Sequence, residues 1–316
     1  MNVHNGIKIE DSSLYRINRE CLFLLLGIKN NDELKTLLSN NNYKVYTVGP
    51  KNRIIEEPDK KLKNIQTKFN KLLQQIETPP YVFAGRKKMN HISNAKAHID
   101  CNDMICADIK KFFPHTKIKY LQEFLETNLK FSPDLALDVA NLLTINGHLP
   151  TGAPSSPLLT FWSYKIVFDK IYDFATNLGI TMTIYIDDMT FSSKSNSINT
   201  YFVPKVSKKL IPFVDAELTR VGLELHPEKL KNFKCSKYKH VTGVCIDRKH
   251  SLVVKNEHRD NLLKILNSKD DITQLSTEQI ETCIGMIKSM QLIEPKIFEL
   301  TLKKLKEIYK LRPKRI

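Results

Sequence analysis

The run Ile180-Thr181-Met182-Thr183-Ile184-Tyr185-Ile186-Asp187-Asp188-Met189-Thr190-Phe191-Ser192 decides how the chain is read. Two apolar segments, 180–186 and 189–192, flank an Asp-Asp pair, which predicts a tight hairpin with both carboxylates at its turn. Carboxylates set among strands lose hydration, a cost that a hard divalent cation such as Mg²⁺ offsets. A third carboxylate, Asp108, ends another short apolar strand, 104–107. Asp-Asp is also a common turn dipeptide. The chain holds its own comparison in Asp270-Asp271, between Lys269 and Ile272 with no apolar strand on either side, which reads as a solvated turn. On spacing alone, the metal and the plain-turn readings of Asp187-Asp188 both stand. Two ions roughly 3.5 to 4 Å apart would lower a hydroxyl's pKa and clamp a leaving pyrophosphate, which is nucleotidyl-transfer chemistry.

Working outward, Leu22, Leu25 and Leu26, then Leu34, Leu37 and Leu38, give helical spacing near the N-terminus. Residues 43–48 and 53–57 read as a hairpin around a Gly-Pro-Lys-Asn turn, leading into a helix over 59–77 that Thr78-Pro79-Pro80 stops. A Pro- and Gly-punctuated loop, 149–157, precedes one apolar helix over 158–177. An amphipathic helix follows Pro204 to about Val221, a strand pair lies around 241–254, and 255–316 is helical throughout.

The 316 residues include 49 Lys and Arg against 34 Asp and Glu, a net charge of +15, which favours a polyanionic partner. With 41% hydrophobic residues a sizeable core is expected and wholesale disorder is excluded. The longest strongly apolar run, 21–28, is far short of the roughly 18 residues of a membrane span, and the first residues carry no secretory pattern, so a cytosolic location is expected. The six cysteines show no C-x-x-C pair and no zinc spacing.

Tyr185-Ile186-Asp187-Asp188 resembles the Y-x-D-D box of reverse transcriptases, and companion boxes occur in that family's order. Ala107 to Pro114 is similar to the first catalytic-Asp box and Leu149 to Pro157 to the template-clamping loop. Arg53 to Pro58, with Leu62 and Gln66, resembles the fingers box, and Gly222 to Lys229 the box after the catalytic hairpin. The resemblance spans roughly 45–250. Asn94-Ala95-Lys96-Ala97-His98 and Val241-Thr242-Gly243 are similar to the N-A-x-x-H and V-T-G elements of the bacterial retron branch.

The resemblance implies an α+β right-hand polymerase. Residues 1–103 would form an N-terminal helical segment and fingers, 104–254 a ferredoxin-like palm (part of 115–150 packing with the fingers), and 255–316 a basic helical thumb. Asp108 and Asp187 would hold two Mg²⁺ ions, with Asp188 completing the cluster and the Ile109 carbonyl a backbone ligand. Lys51 and Arg53 would meet the triphosphate, Phe113 would exclude a ribose 2′-hydroxyl, and Lys229 would protonate departing pyrophosphate. Thr151 and Gly152 fall in the nucleotide contact, though Thr151 stands where many relatives carry a longer Gln. Ile186 is β-branched where retron enzymes usually have Ala. Asn94, His98, Val241, Thr242 and Gly243, with Lys303, Lys304, Lys306, Lys310 and Arg312 of the tail, would contact RNA. Seven basic residues against one acidic lie between Lys303 and Arg315. The partners implied are deoxynucleoside triphosphates, a structured non-coding RNA with its DNA product, and a neighbouring effector protein in anti-phage defence; no membrane is implied. The product would be a branched RNA-DNA primed from a guanosine 2′-hydroxyl. Another compact reverse transcriptase, group II intron-like or diversity-generating, and a catalytically idle RNA-binding scaffold are the alternatives.

Overall fold

In the computed structural model, which describes residues 6–50, 52–86, 88–193, 202–233 and 238–312, the chain opens with two short helices. These are α1 (Arg19–Leu26) and α2 (Asn31–Leu37), begun by Asn18 and Asn30, whose side chains accept from the amides of Cys21 and Glu33. An antiparallel ribbon follows, β1 (Tyr43–Val48) with β2 (Arg53–Pro58), Tyr43 opposite Pro58. Asp59 then caps α3 (Lys60–Leu73), which buries Leu62, Ile65, Phe69 and Leu73 at helical spacing. The helix ends at Leu73, short of the expected 77. Residues 75–77 leave it to pair with Ile7, whose amide donates to Gln75 and whose carbonyl accepts from Glu77.

After the short α4 (His91–Lys96) comes β3 (Asp103–Asp108), the strand that carries the first carboxylate. Next are α5 (Phe112–His115), α6 (Ile118–Thr127), α7 (Pro133–Leu143), α8 (Ser156–Ser163) and α9 (Lys165–Asn177). The single helix expected over 158–177 is thus broken at Tyr164, whose backbone leaves the helical region while its buried ring packs against Phe112 and Tyr120. The predicted hairpin is β4 (Thr181–Tyr185) with β5 (Asp188–Ser193), followed by α10 (Phe202–Arg220) and β6 (Lys231–Phe233).

These strands make one antiparallel sheet in the order β4-β5-β3-β6. Its two faces differ because side chains alternate along each strand. Ile105, Ala107, Met182, Ile184, Met189 and Phe191 point into the main core, where α9 and α10 cover the sheet. The other face presents Asp108, Thr183, Asp188, Thr190 and Ser192. That polar stripe is where the site forms.

In place of the strand pair expected around 241–254, three strands form a small sheet: β7 (Lys239–Val241), β8 (Val244–Ile246) and β9 (Leu252–Val253). With α4 it encloses a second cluster containing Ile92, Met104, Val241 and Ile246. Helices α11 (Asn256–Leu266), α12 (Thr277–Gln291) and α13 (Glu299–Lys310) have a core of their own around Leu262, Ile280, Ile287 and Leu305. Among the described residues no helix is long and apolar enough to cross a membrane.

Candidate active site

Strand pairing sets Asp108, at the end of β3, directly opposite Asp188, the first residue of β5. Between Tyr185 and Asp188, which also pair, the chain turns through Ile186 and Asp187. Only the first of these loop residues has positive φ, 60° at Ile186, the pattern of a type II′ turn that ordinarily takes Gly. A β-branched side chain holds that conformation at a cost of about 1–3 kcal/mol, opposed by its packing against the main core. The turn is pinned from outside as well: the Ile109 amide donates to the Asp187 carbonyl at 2.9 Å.

The consequence is that ligand oxygens of Asp108, Asp187 and Asp188 all lie within 4.8 Å of one another. Among the described residues no other group of three His, Cys, Asp or Glu side chains converges this way. Burial, then the charge of its neighbours Asp187 and Asp108, pushes the Asp188 carboxyl up to about 7. Asp187 is raised too, by burial first and by Asp108 second. Three converging carboxylates, with hard oxygen donors and no thiolate or imidazole in the set, fit a divalent cation such as Mg²⁺.

The sign of the stability effect follows from the raised pKa. Folded Asp188 keeps a proton that the unfolded chain gives up near pH 4, so stability from this group is lost as pH rises from about 4 to about 7. In EDTA, the wild-type melting temperature should therefore fall relative to Asp188→Asn across that window, and Mg²⁺ at pH 8 should recover the difference. A wild-type minus variant difference that stays flat with pH would show that Asp188 ionises freely.

From the carboxylates a cleft of about 170 Å³ runs toward the β7–β8 turn, lined by Lys229, Lys231, Lys255, Thr242 and Gly243. Lys229 donates to both oxygens of Asp108 at 2.8 Å each. The sequence motifs mark neither Lys231 nor Lys255. Lys231 begins β6 opposite Cys106, which lies two residues before Asp108 on β3, so the alternation of β3 is the signal that could have found it. Arg53 is exposed on β2, and its charge favours ionised Asp187. Phe113 is half-buried beside Phe112, their centroids 6.4 Å apart. Lys51 lies outside the described residues.

Several expected contact residues also make bonds inside the protein. Thr151 faces β2: its hydroxyl donates to the Ile54 carbonyl at 2.8 Å and accepts from the Glu56 amide at 3.1 Å. The Gly152 amide donates to the Glu56 carbonyl at 3.2 Å. These groups clasp the 149–157 loop to the β1–β2 ribbon. His98 is 1% exposed, with one ring nitrogen 2.6 Å from the Ser192 hydroxyl and the other 2.7 Å from Thr183. Burial lowers its pKa to about 3, so it is a neutral bridge across the polar stripe. Asn94 is fully buried and donates to Thr242 at 3.3 Å; Val241 is buried as well. Thr242 and Gly243, with φ 44° and 90°, are the two loop residues of a type I′ turn, and the Asn94 bond helps hold Thr242 in that strained region. The two retron-like strings therefore meet, but through Asn94 and Thr242 inside the protein. Arg312 donates to the carbonyls of Thr273 and Leu275 and so ties the end of α13 to the connection before α12.

His98→Ala should strand two buried hydroxyls and destabilise the fold by about 2–4 kcal/mol in urea unfolding. RNA affinity per folded molecule should stay unchanged; a selective loss of RNA binding without loss of stability would assign His98 to the interface.

The family described as reverse transcriptase (RNA-dependent DNA polymerase) matches residues 47–256. The Retron Se72 reverse transcriptase of Salmonella heidelberg (strain 579083-10) is 27% identical over 227 residues, covering 70% of this chain and 59% of that protein. The Retron Ec86 reverse transcriptase of Escherichia coli is 26% identical, with 71% and 69% covered. The Retron Ec83 reverse transcriptase, also of Escherichia coli, is 26% identical over 276 residues, covering 82% and 85%.

Proposed function

Since the chain belongs to the reverse transcriptase (RNA-dependent DNA polymerase) family, we propose that it is a retron-type enzyme copying part of a structured RNA into single-stranded DNA. The observation that carries this reading is the convergence of Asp108, Asp187 and Asp188 at the head of a Lys-lined cleft. In this reading the β1–β2 ribbon is the fingers, the four-stranded sheet the palm, and α11 to α13 the thumb.

Asp108, Asp187 and Asp188 would hold two Mg²⁺ ions, with the Ile109 carbonyl as a further ligand. Bound there, such ions acidify the attacking hydroxyl and neutralise the leaving pyrophosphate. The chain's own groups complete the site. Arg53 offers a planar, always-charged fork to the incoming triphosphate from the fingers side. Phe113 sets an aromatic edge beside the nucleotide sugar and so selects deoxyribose. Lys231 and Lys255 neutralise the phosphates of a strand lying along the cleft, with Thr242 and Gly243 at its far end. Synthesis would begin on a guanosine 2′-hydroxyl of the RNA, leaving a branched product, and a neighbouring effector protein would act with the complex in phage defence.

On α13, Lys303, Lys306 and Lys310 are exposed and fall on one stripe, whereas the charge of Lys304 reaches Asp271 and Arg312 is engaged by carbonyls. The stripe is the candidate RNA grip. Replacing Lys303, Lys306 and Lys310 together by Gln should reduce the slope of log K against log[salt] by about 0.7 to 0.9 for each phosphate that is no longer neutralised. An unchanged slope would make the stripe a plain solvated face.

The function itself is tested by purifying the chain with its native nucleic acid and sequencing it with branch-resolving chemistry. A short single-stranded DNA joined to a guanosine 2′ position is expected. Unbranched DNA would point to another compact reverse transcriptase, and RNA without DNA would sink the polymerase reading.

A further inference from the structure

Lys229 sits 2.8 Å from each of the two carboxylate oxygens of Asp108, so its ammonium takes the pair rather than a single oxygen. The Asp108 side chain is 10% exposed, which leaves few other approaches to it; the Lys229 side chain is 46% exposed. These oxygens belong to the same cluster, 4.8 Å across at most, that offers itself to a divalent ion. We infer that Lys229 is a displaceable counter-cation: an ion entering the cluster takes Asp108 in exchange for the Lys229 ammonium, which is thereby released into the cleft. The inference rests on the metal-site reading above and concerns what that site must give up when it loads.

Two features of the local fold make the exchange possible. The base of the side chain is fixed beside its partner. Lys229 ends a 3-10 turn, Pro227–Lys229, and its amide donates to the carbonyl of His226, whose own amide donates to the Asp108 carbonyl at 2.8 Å. Backbone bonds therefore hold the turn against the end of β3 whatever the ammonium does. The four-carbon stem, in contrast, runs along an open cleft and is free to swing. A monovalent and a divalent cation that share a carboxylate also repel each other, and this favours exchange over joint occupancy. The Lys229 charge acts on Asp187 and Asp188 as well, so one side chain balances the whole cluster until an ion replaces it. Once released, the ammonium stays within one side-chain length of the site and is a donor for whatever anion arrives with the metal. Ion loading and delivery of a proton donor are thus the same event.

The test is Mn²⁺ binding to the full chain without nucleotide, followed by electron paramagnetic resonance of the free ion, for wild type, Lys229→Gln, Lys229→Met and Lys231→Gln. Lys231 lines the same cleft and its replacement removes the same charge, so it controls for a general field effect. Both Lys229 variants should bind Mn²⁺ about tenfold more tightly than wild type, and Lys231→Gln should stay within ~threefold. Equal gains at the two positions, or unchanged or weaker binding in the Lys229 variants, would overturn the exchange. Asp188→Asn separates this from the underlying reading: if it binds Mn²⁺ as wild type does, the carboxylate cluster is not the metal site at all.

Discussion

Asp187→Asn should abolish Mg²⁺-dependent primer extension, lowering the rate by roughly three orders of magnitude or more, which corresponds to about 4 kcal/mol of lost transition-state stabilisation. The expectation comes from position as well as residue type. Asp187 occupies the second loop place of a two-residue turn, its carbonyl is held by the Ile109 amide, and its carboxylate lies with those of Asp108 and Asp188 inside 4.8 Å. Asn preserves the shape and the turn but removes the charge, so folding and RNA capture should survive; removing one of three mutually repelling carboxylates should even raise the melting temperature slightly in EDTA. Single-turnover extension on an annealed primer measures the effect. Asp270→Asn, on the polar connection between α11 and α12, is the matched control and should leave the rate unchanged. A variant at position 187 that extends primers at near wild-type rate would remove the metal role from this cluster.

That prediction could be written from sequence because the information is local. Alternating apolar residues on either side of Asp187-Asp188 fix the β4–β5 hairpin, and the same alternation puts Asp108 at the end of β3. What the sequence leaves open is contact between distant segments. His98 reaches Ser192 and Thr183, 94 and 85 residues away, and Asn94 reaches Thr242 across 148. No period of 2 or 3.6 encodes such a pairing, so the sequence shows the two strings without the contact that joins them. The break at Tyr164 is hidden for a related reason. Residues on both sides of it are apolar and helix-compatible, and only the buried packing of its ring against Phe112 and Tyr120 shows why the axis must change there. Lys229 is the intermediate case: its motif marks it as part of the site, but the exchange with a metal ion becomes visible only when both of its bonds to Asp108 are seen.

Gly152→Ala should carry the largest stability penalty of any single methyl added near the site. A Cβ built on Gly152 would stand 2.7 Å from the Glu56 carbonyl oxygen and 3.0 Å from the Glu57 Cα, both backbone atoms of β2 that have no rotamer in which to move aside. The 149–157 loop must then lift off the ribbon. Its lifting would break the Gly152 amide bond to Glu56 and the two bonds of the Thr151 hydroxyl together. Overpacking of this kind costs about 1–3 kcal/mol, and the buried Glu56 carboxylate, which also meets His148 at 2.9 Å, would lose the alignment that keeps it paired. Gly285→Ala is the opposite case on the same protein. It lies inside α12 with nothing within 4 Å of its added Cβ, so the methyl should stabilise by about 0.5–1 kcal/mol through helix propensity alone. Urea unfolding of the two variants should therefore move in opposite directions. If the ribbon is the fingers, Gly152→Ala should also raise the KM for deoxynucleotides more than it lowers kcat, because the clasp positions Arg53 and leaves Asp108, Asp187 and Asp188 untouched. A Gly152→Ala protein as stable as wild type, with an unchanged KM, would show that the loop and the ribbon move independently and that the clasp does not hold the fingers.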